Sequence, residues 1–273
     1  MAFVRAGSLR FHVQRLPATA GADSPGRPVV VFLHGLVVDN LSSFYCPLAV
    51  PVARSGHEAV LYDLRGHGRT ERPGSGYDSP TAVRDLFALL GALGLGQRPV
   101  HLVGNSYGAT LALHAALARP DLVTGLTLLE PPLSGAWVEN MVDTLSAAAL
   151  SLEDSTVPTE LLTLRLRKAA NLTAIADSLL NRTTLIDDIA ASRTFTAADY
   201  ARLHCPVLII CGEHSELLAG GQKLARHAPH CTLRVLPGLG HDVLKESSGV
   251  LREAVLAHLE ATAARARAGA LVR

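Results

Sequence analysis

Six stretches of this chain are apolar runs, most of them continuous in Val, Ile and Leu: "RPVVVFLHG", "HEAVLYDLRG", "PVHLVGNS", "LVTGLTLLEPP", "PVLIICGE" and "TLRVLPGLGH". A strand with one face in water alternates apolar and polar residues, whereas a continuous run needs cover on both faces. Amphipathic segments such as "SPTAVRDLFALLGAL" and "SYGATLALHAALARP" lie between the runs. Strand and helix therefore alternate, the rhythm of an α/β fold with a mostly parallel central sheet flanked by helices. With 273 residues, 48% of them hydrophobic, there is material for one large unit carrying an insertion.

The rhythm breaks once. Between Pro131 and about His204 the patterns are helical only, as in "WVENMVDTLSAAALSL", "TELLTLRLRKAANLTAIADSLL" and "TAADYARLH". This predicts a core of residues 1–131 and 204–273 and a helical cap of residues 132–203. The expected place of the cap is over the C-terminal edge of the sheet, where open α/β sheets bind ligands.

Charge and cysteine usage narrow the partners. A net charge of +1 with no basic block leaves no electrostatic footprint for nucleic acid or anionic lipid, so the expected partner is a small molecule. Arginines interrupt the N-terminal "MAFVRAGSLRFHVQR", which fits neither a secretory signal nor a membrane span, and the expected location is cytoplasmic. Cys46, Cys205, Cys211 and Cys231 show no C-x-x-C spacing and read as reduced packing residues. Lysine occurs only at 168, 223 and 245 among 25 basic residues, an arginine bias that suits a GC-rich bacterial genome.

The most specific local signal is "LVGNSYGA", where Gly104-x-Ser106-x-Gly108 follows an apolar run and precedes a helix pattern. In that context the motif forms a nucleophile elbow: the turn is too tight for flanking side chains, and the serine is aimed off the top of the sheet. In "FLHGL" a second strand ends at His34-Gly35, so the backbone N–H groups of Leu36 and Tyr107 are the expected oxyanion donors. Of twelve histidines, His241 in "LPGLGHDVL" follows the last run and two glycines, in the chain order serine, acid, histidine. His34 reads as a structural hydrogen-bonder, His101 and His114 fall within elements, and His67, His214, His227, His230 and His258 read as turn or surface residues.

Together, "FLHGL", "DLRGHGRT", "LVGNSYGA" and "PGLGH" resemble the serine α/β-hydrolase superfamily over nearly the whole chain. The resemblance implies an α/β-hydrolase core with the cap inserted after strand six. It makes Asp63, Arg65 and His67 structural, and Ser106 disfavours the relatives that use an aspartate nucleophile. It also exposes a departure: the usual acid is an Asp three residues beyond the glycine ending strand seven, and Ser215 stands there. Two carboxylates can substitute. Glu130, at the tip of strand six, is the preferred acid because a charge ending an apolar strand needs a partner such as His241; Glu216 is the alternative.

The implied activity is hydrolysis of an ester, thioester or related acyl bond of a mainly apolar small molecule. The residues implied are Ser106, His241 and a glutamate, with no organic cofactor and no metal. The cap is rich in Leu and Ala with few aromatics, Trp137 and Tyr200 among them, a pattern that suits an apolar substrate while much of the stripe forms the cap's own core. A lyase or cyclase reaction in the same pocket, and a non-catalytic binding protein on the same scaffold, are the competing readings.

Overall fold

The computed structural model describes residues 2–19, 27–153 and 164–271. The chain opens with an antiparallel hairpin, β1 (Ala2–Ala6) and β2 (Leu9–Leu16), absent from the six apolar runs because arginines and His12 interrupt it. The runs become β3 (Val29–Leu33), β4 (Ala59–Tyr62), β5 (Val100–Asn105), β6 (Val123–Leu129), β7 (Val207–Gly212) and β8 (Cys231–Leu236). They form one eight-stranded sheet in the order β1-β2-β4-β3-β5-β6-β7-β8, antiparallel at β1, β2 and β4 and parallel from β4 onward.

The continuous runs are explained by two cores. Val29, Val31 and Leu33 of β3 pack on one side of the sheet, and Val30 and Phe32 on the other. All five are buried, each contributing about 1.5–3 kcal/mol relative to exposure. A short helix α1 (Ser42–Phe44) continues through a π-helical turn (Tyr45–Ala49) into α2 (Val50–Arg54). The first core is covered by α3 (Ser79–Ala92) and α4 (Tyr107–Ala118) through Leu86, Leu90, Leu111 and Ala112. The segment after β3 covers the second core with Phe44, Leu48 and Val52.

Between β6 and β7 lie α5 (Gly135–Glu153), α6 (Leu164–Asn181), α7 (Leu185–Ala190) and α8 (Ala197–Ala201), with no strand among the described residues. The stretch 154–163, part of the predicted helical pattern, lies outside the described residues. Trp137 and Tyr200 are buried, Tyr200 completely. The remaining helices are α9 (Leu218–His227), α10 (Val243–Glu246) and α11 (Ser248–Leu271). Leu251, Val255 and Leu259 of α11 close the second core. Among the described residues no helix is long and apolar enough to cross a membrane.

The strand order reverses between β3 and β5: the chain steps from β3 to β4 on one side, then returns to β5 on the other. A crevice forms at such a switch point, outside the carboxyl ends of the strands. His34-Gly35 and Ser106 stand at those two ends.

Candidate active site

Tight packing produces the elbow. A Cβ at Gly108 would overlap the Leu33 carbonyl, so α4 can start against the end of β3 only with glycine there. Between β5 and α4, Ser106 is forced to φ 52°. Among the described residues only three other than glycine have positive φ: Val37 at 64°, Ser106 at 52° and Glu130 at 50°. Each follows the end of a different strand, β3, β5 or β6, and such strained backbone persists only where the surroundings over-determine it.

The loop after β3 is held from below by two neutral histidines. His34 is fully buried; its Nδ1–H donates to the Gly35 carbonyl at 2.7 Å, and Nε2 accepts the Leu64 N–H at 2.9 Å. His67 Nδ1–H donates to the Arg65 carbonyl at 2.8 Å, and Nε2 accepts the Val37 N–H at 2.9 Å. Burial lowers both pKa values, that of His67 to about 3, so neither ring carries charge at neutral pH. The reading of His67 as a turn residue meets a correction in exposure: it is buried at 2%, because it serves as the acceptor that anchors Val37. Asp63 anchors the same turn, accepting from Leu41 and Arg69 N–H groups and contacting His12 Nδ1 at 2.7 Å. Arg65 pairs with Asp85 at 2.8 Å.

Asp39 accepts the Gly35 N–H at 2.7 Å and is bonded again by Asn40 N–H and by Ser43 Oγ. The Gly35 donor is therefore occupied. Among the described hydrogen bonds neither the Leu36 N–H nor the Tyr107 N–H has a protein acceptor, and Leu36 and Ser106 line one cleft. Asp39 and its role escaped the sequence reading, which had no motif to mark it.

Glu130 is completely buried at the end of β6. Its Oε1 accepts the Gly212 N–H at 2.6 Å, and its Oε2 accepts the Ser215 hydroxyl hydrogen. Ser215 Oγ in turn accepts the Leu217 N–H at 3.1 Å. His241 Nδ1 stands 3.5 Å from Glu130 Oε2 and 4.0 Å from Glu216 Oε1. The first distance is an ion-pair approach longer than a well-formed hydrogen bond, and Nδ1 has no other acceptor. Glu130 nonetheless pushes the His241 pKa above its ordinary 6.5; burial opposes this, and Glu216 adds a smaller upward push. Glu216 is 66% exposed in its side chain, so water screens it, whereas Glu130 is not screened.

Close backbone packing lets the His241 loop cross over β7. A Cβ at Gly212 would overlap the carbonyls of Leu239 and Gly240, so the loop crosses where no side chain exists. Backbone bonds then pin the strand ends: Ser106 N–H donates to Leu129 O at 2.8 Å, and Glu130 N–H to Ile210 O at 3.0 Å.

Ser106 and His241 line a cleft of about 730 Å³, without a hydrogen bond between them. Its walls come from the loop after β3, the turn around Ser43–Pro47, and α10 and α11. The described residues of the α5–α8 insertion supply none of the lining. Trp137 and Tyr200 are buried, and neither lines this cleft. The four cysteines are free, and Cys46 is exposed on the cleft wall. Among the described residues no three His, Cys, Asp or Glu side chains gather as a metal site.

The sequence of residues 30–254 matches the profile of the Alpha/beta hydrolase family. A 2-(acetamidomethylene)succinate hydrolase of Mesorhizobium japonicum is 25% identical over 86% of this chain and 88% of its own. Lipase LipV of Mycobacterium tuberculosis is 34% identical over 50% of this chain, which spans about half, 48%, of the lipase. A proline iminopeptidase of Mycobacterium smegmatis shares the fold, with a TM-score of 0.73 at 18% identity over 97% of this chain and 99% of that one.

Proposed function

The chain belongs to the alpha/beta hydrolase family, and from that premise we propose that it hydrolyses an ester, thioester or related acyl bond through Ser106, His241 and Glu130. The observation that carries this reading is the grouping of strained backbone: Val37, Ser106 and Glu130 follow the ends of three neighbouring strands, β3, β5 and β6, beside the switch point of the sheet. Relatives named as a succinate-derivative hydrolase and a lipase support hydrolysis and leave the bond class open.

In this reading Ser106 Oγ attacks the carbonyl carbon while His241 Nε2 takes its proton. Charge builds on the carbonyl oxygen, and the Leu36 and Tyr107 N–H groups are the free donors to meet it, each contributing roughly 3 kcal/mol when well aimed. His241 returns the proton to the leaving group, whose bond to the acyl carbon breaks. A water then attacks the acyl-serine, giving its proton to His241, which passes it to Ser106. The sum is one acyl bond and one water converted to an acid and an alcohol or thiol. Glu130 holds the Nδ1–H tautomer and stabilises the imidazolium formed in each half. Leu36, Val38, Pro47 and Leu244 give the cleft an apolar side for the substrate's hydrocarbon part.

A fluorophosphonate probe tests the reading: it should label the wild type and leave Ser106→Ala unlabelled. A folded wild-type protein that resists the probe would refute it.

A further inference from the structure

Four formally charged side chains line the catalytic cleft: Asp39, Asp242, Lys245 and Arg252. Three are already engaged. Asp39 is met by two backbone N–H groups and a serine hydroxyl. Lys245 Nζ and Asp242 Oδ1 are 2.9 Å apart. Arg252 is exposed on α11, and none of the ion pairs or hydrogen bonds among the described residues involves it. It stands one helical turn beyond Ser248, so the two share a helix face, and both line the cleft.

The cleft thus presents one unmatched positive charge on the same surface as Ser106, with apolar Leu244 and Val38 also in the wall. A guanidinium offers a planar fork of donors matched to a carboxylate, and its attraction strengthens in a partly enclosed space. We propose that Arg252 binds a carboxylate carried by the substrate, which places the substrate among acyl compounds with a free acid group. The inference rests on the reading of Ser106 as the nucleophile. One unmatched cation balances one carboxylate; a doubly charged phosphate would leave a charge uncompensated in the cleft. The expectation of a mainly apolar substrate is thereby narrowed to one with an apolar body and an acidic group.

Two matched pairs of esters test this: mono-4-nitrophenyl glutarate against 4-nitrophenyl butyrate, with the acid on the acyl side, and 4-acetoxybenzoate against phenyl acetate, with the acid on the alcohol side. In one pair the anionic ester should show a kcat/KM about tenfold higher, carried by KM. Arg252→Gln should reduce that anionic-to-neutral ratio about tenfold, Arg252→Lys should recover part of it, and salt at about 0.5 M should weaken it. The proposal is overturned if neither pair prefers the anion, or if Arg252→Gln slows both members of a pair by one factor. Turnover of neutral esters and fluorophosphonate labelling without any anion preference would defeat this inference alone. Absence of both labelling and turnover would defeat the serine-hydrolase reading with it.

Discussion

Ser215 Oγ donates its hydrogen to Glu130 Oε2, the same oxygen that stands 3.5 Å from His241 Nδ1. The position where the superfamily's usual acid belongs thus holds a residue that hydrogen-bonds a carboxylate at the end of the neighbouring strand. Glu130 has no exposed surface; Gly212 N–H and Ser215 Oγ–H donate to it, and the histidine stands within ion-pair distance. A buried carboxylate requires such compensation.

If Glu130 orients His241, Glu130→Gln should slow fluorophosphonate labelling by about 10²–10⁴-fold. Glu216→Gln should stay within about threefold, because its exposed carboxylate acts through water. Equal losses, or a larger loss for Glu216→Gln, would reassign the acid.

The pH profile carries a second sign. The base must be neutral to accept a proton, and Glu130 raises the His241 pKa above 6.5. Wild-type labelling should therefore climb with pH through a midpoint above 6.5. In Glu130→Gln the lowering by burial is left to dominate, and the midpoint should move down; an unchanged midpoint would contradict the pairing.

Moving the acid back is the sharper trial of Ser215. Ser215→Asp alone should damage activity, since it sets two carboxylates side by side. Combined with Glu130→Gln, the new aspartate should recover at least about tenfold of the lost labelling rate. A double variant no faster than Glu130→Gln would show that position 215 no longer reaches the histidine.

Gly212→Ala should lower stability by about 1–3 kcal/mol, because the added carbon meets the Leu239 and Gly240 carbonyls. Labelling should fall as well, since the displaced loop carries His241. Unfolding in denaturant together with the labelling rate would check both effects, and a fully tolerated alanine would contradict the close approach.

Buried neutral histidines set the acid stability. The His67 pKa falls from 6.5 in the unfolded chain to about 3 when folded. Below 6.5 the unfolded chain takes up a proton that the folded one refuses, so stability is full above that pH and declines toward 3. The loss from His67 is about 1.4 kcal/mol for each pH unit well inside this window. The melting temperature should be steady near neutrality and drop below it, and His67→Gln should show a shallower decline from a lower start. A wild-type melting temperature that holds constant down to about pH 5 would refute the account.

Six strands, the tight turn at Ser106 and the helices between β6 and β7 were legible because each leaves a local mark: continuous apolar runs, glycines flanking a serine, a long gap without strand patterns. The β1–β2 hairpin was hidden by its alternation with Arg5, Arg10 and Arg15. Glu130 and Glu216 could not be separated by spacing alone, since burial and the Gly212 and Ser215 bonds distinguish them and arise only in three dimensions. Asp39 and Arg252 left no trace for the same reason: what marks them is which partners they have, or lack, around the cleft.

The backbone bonds Ser106 N–H to Leu129 O and Glu130 N–H to Ile210 O tie Ser106 and Glu130 to two neighbouring ladders, β5–β6 and β6–β7. Neither can shift without shearing the centre of the sheet. Of Ser106, Glu130 and His241 the histidine alone sits on a crossing loop, so the alignment of these three varies chiefly with the height of that loop above β7. Temperature, denaturant or a distant substitution should tune the rate through that one displacement long before the sheet yields.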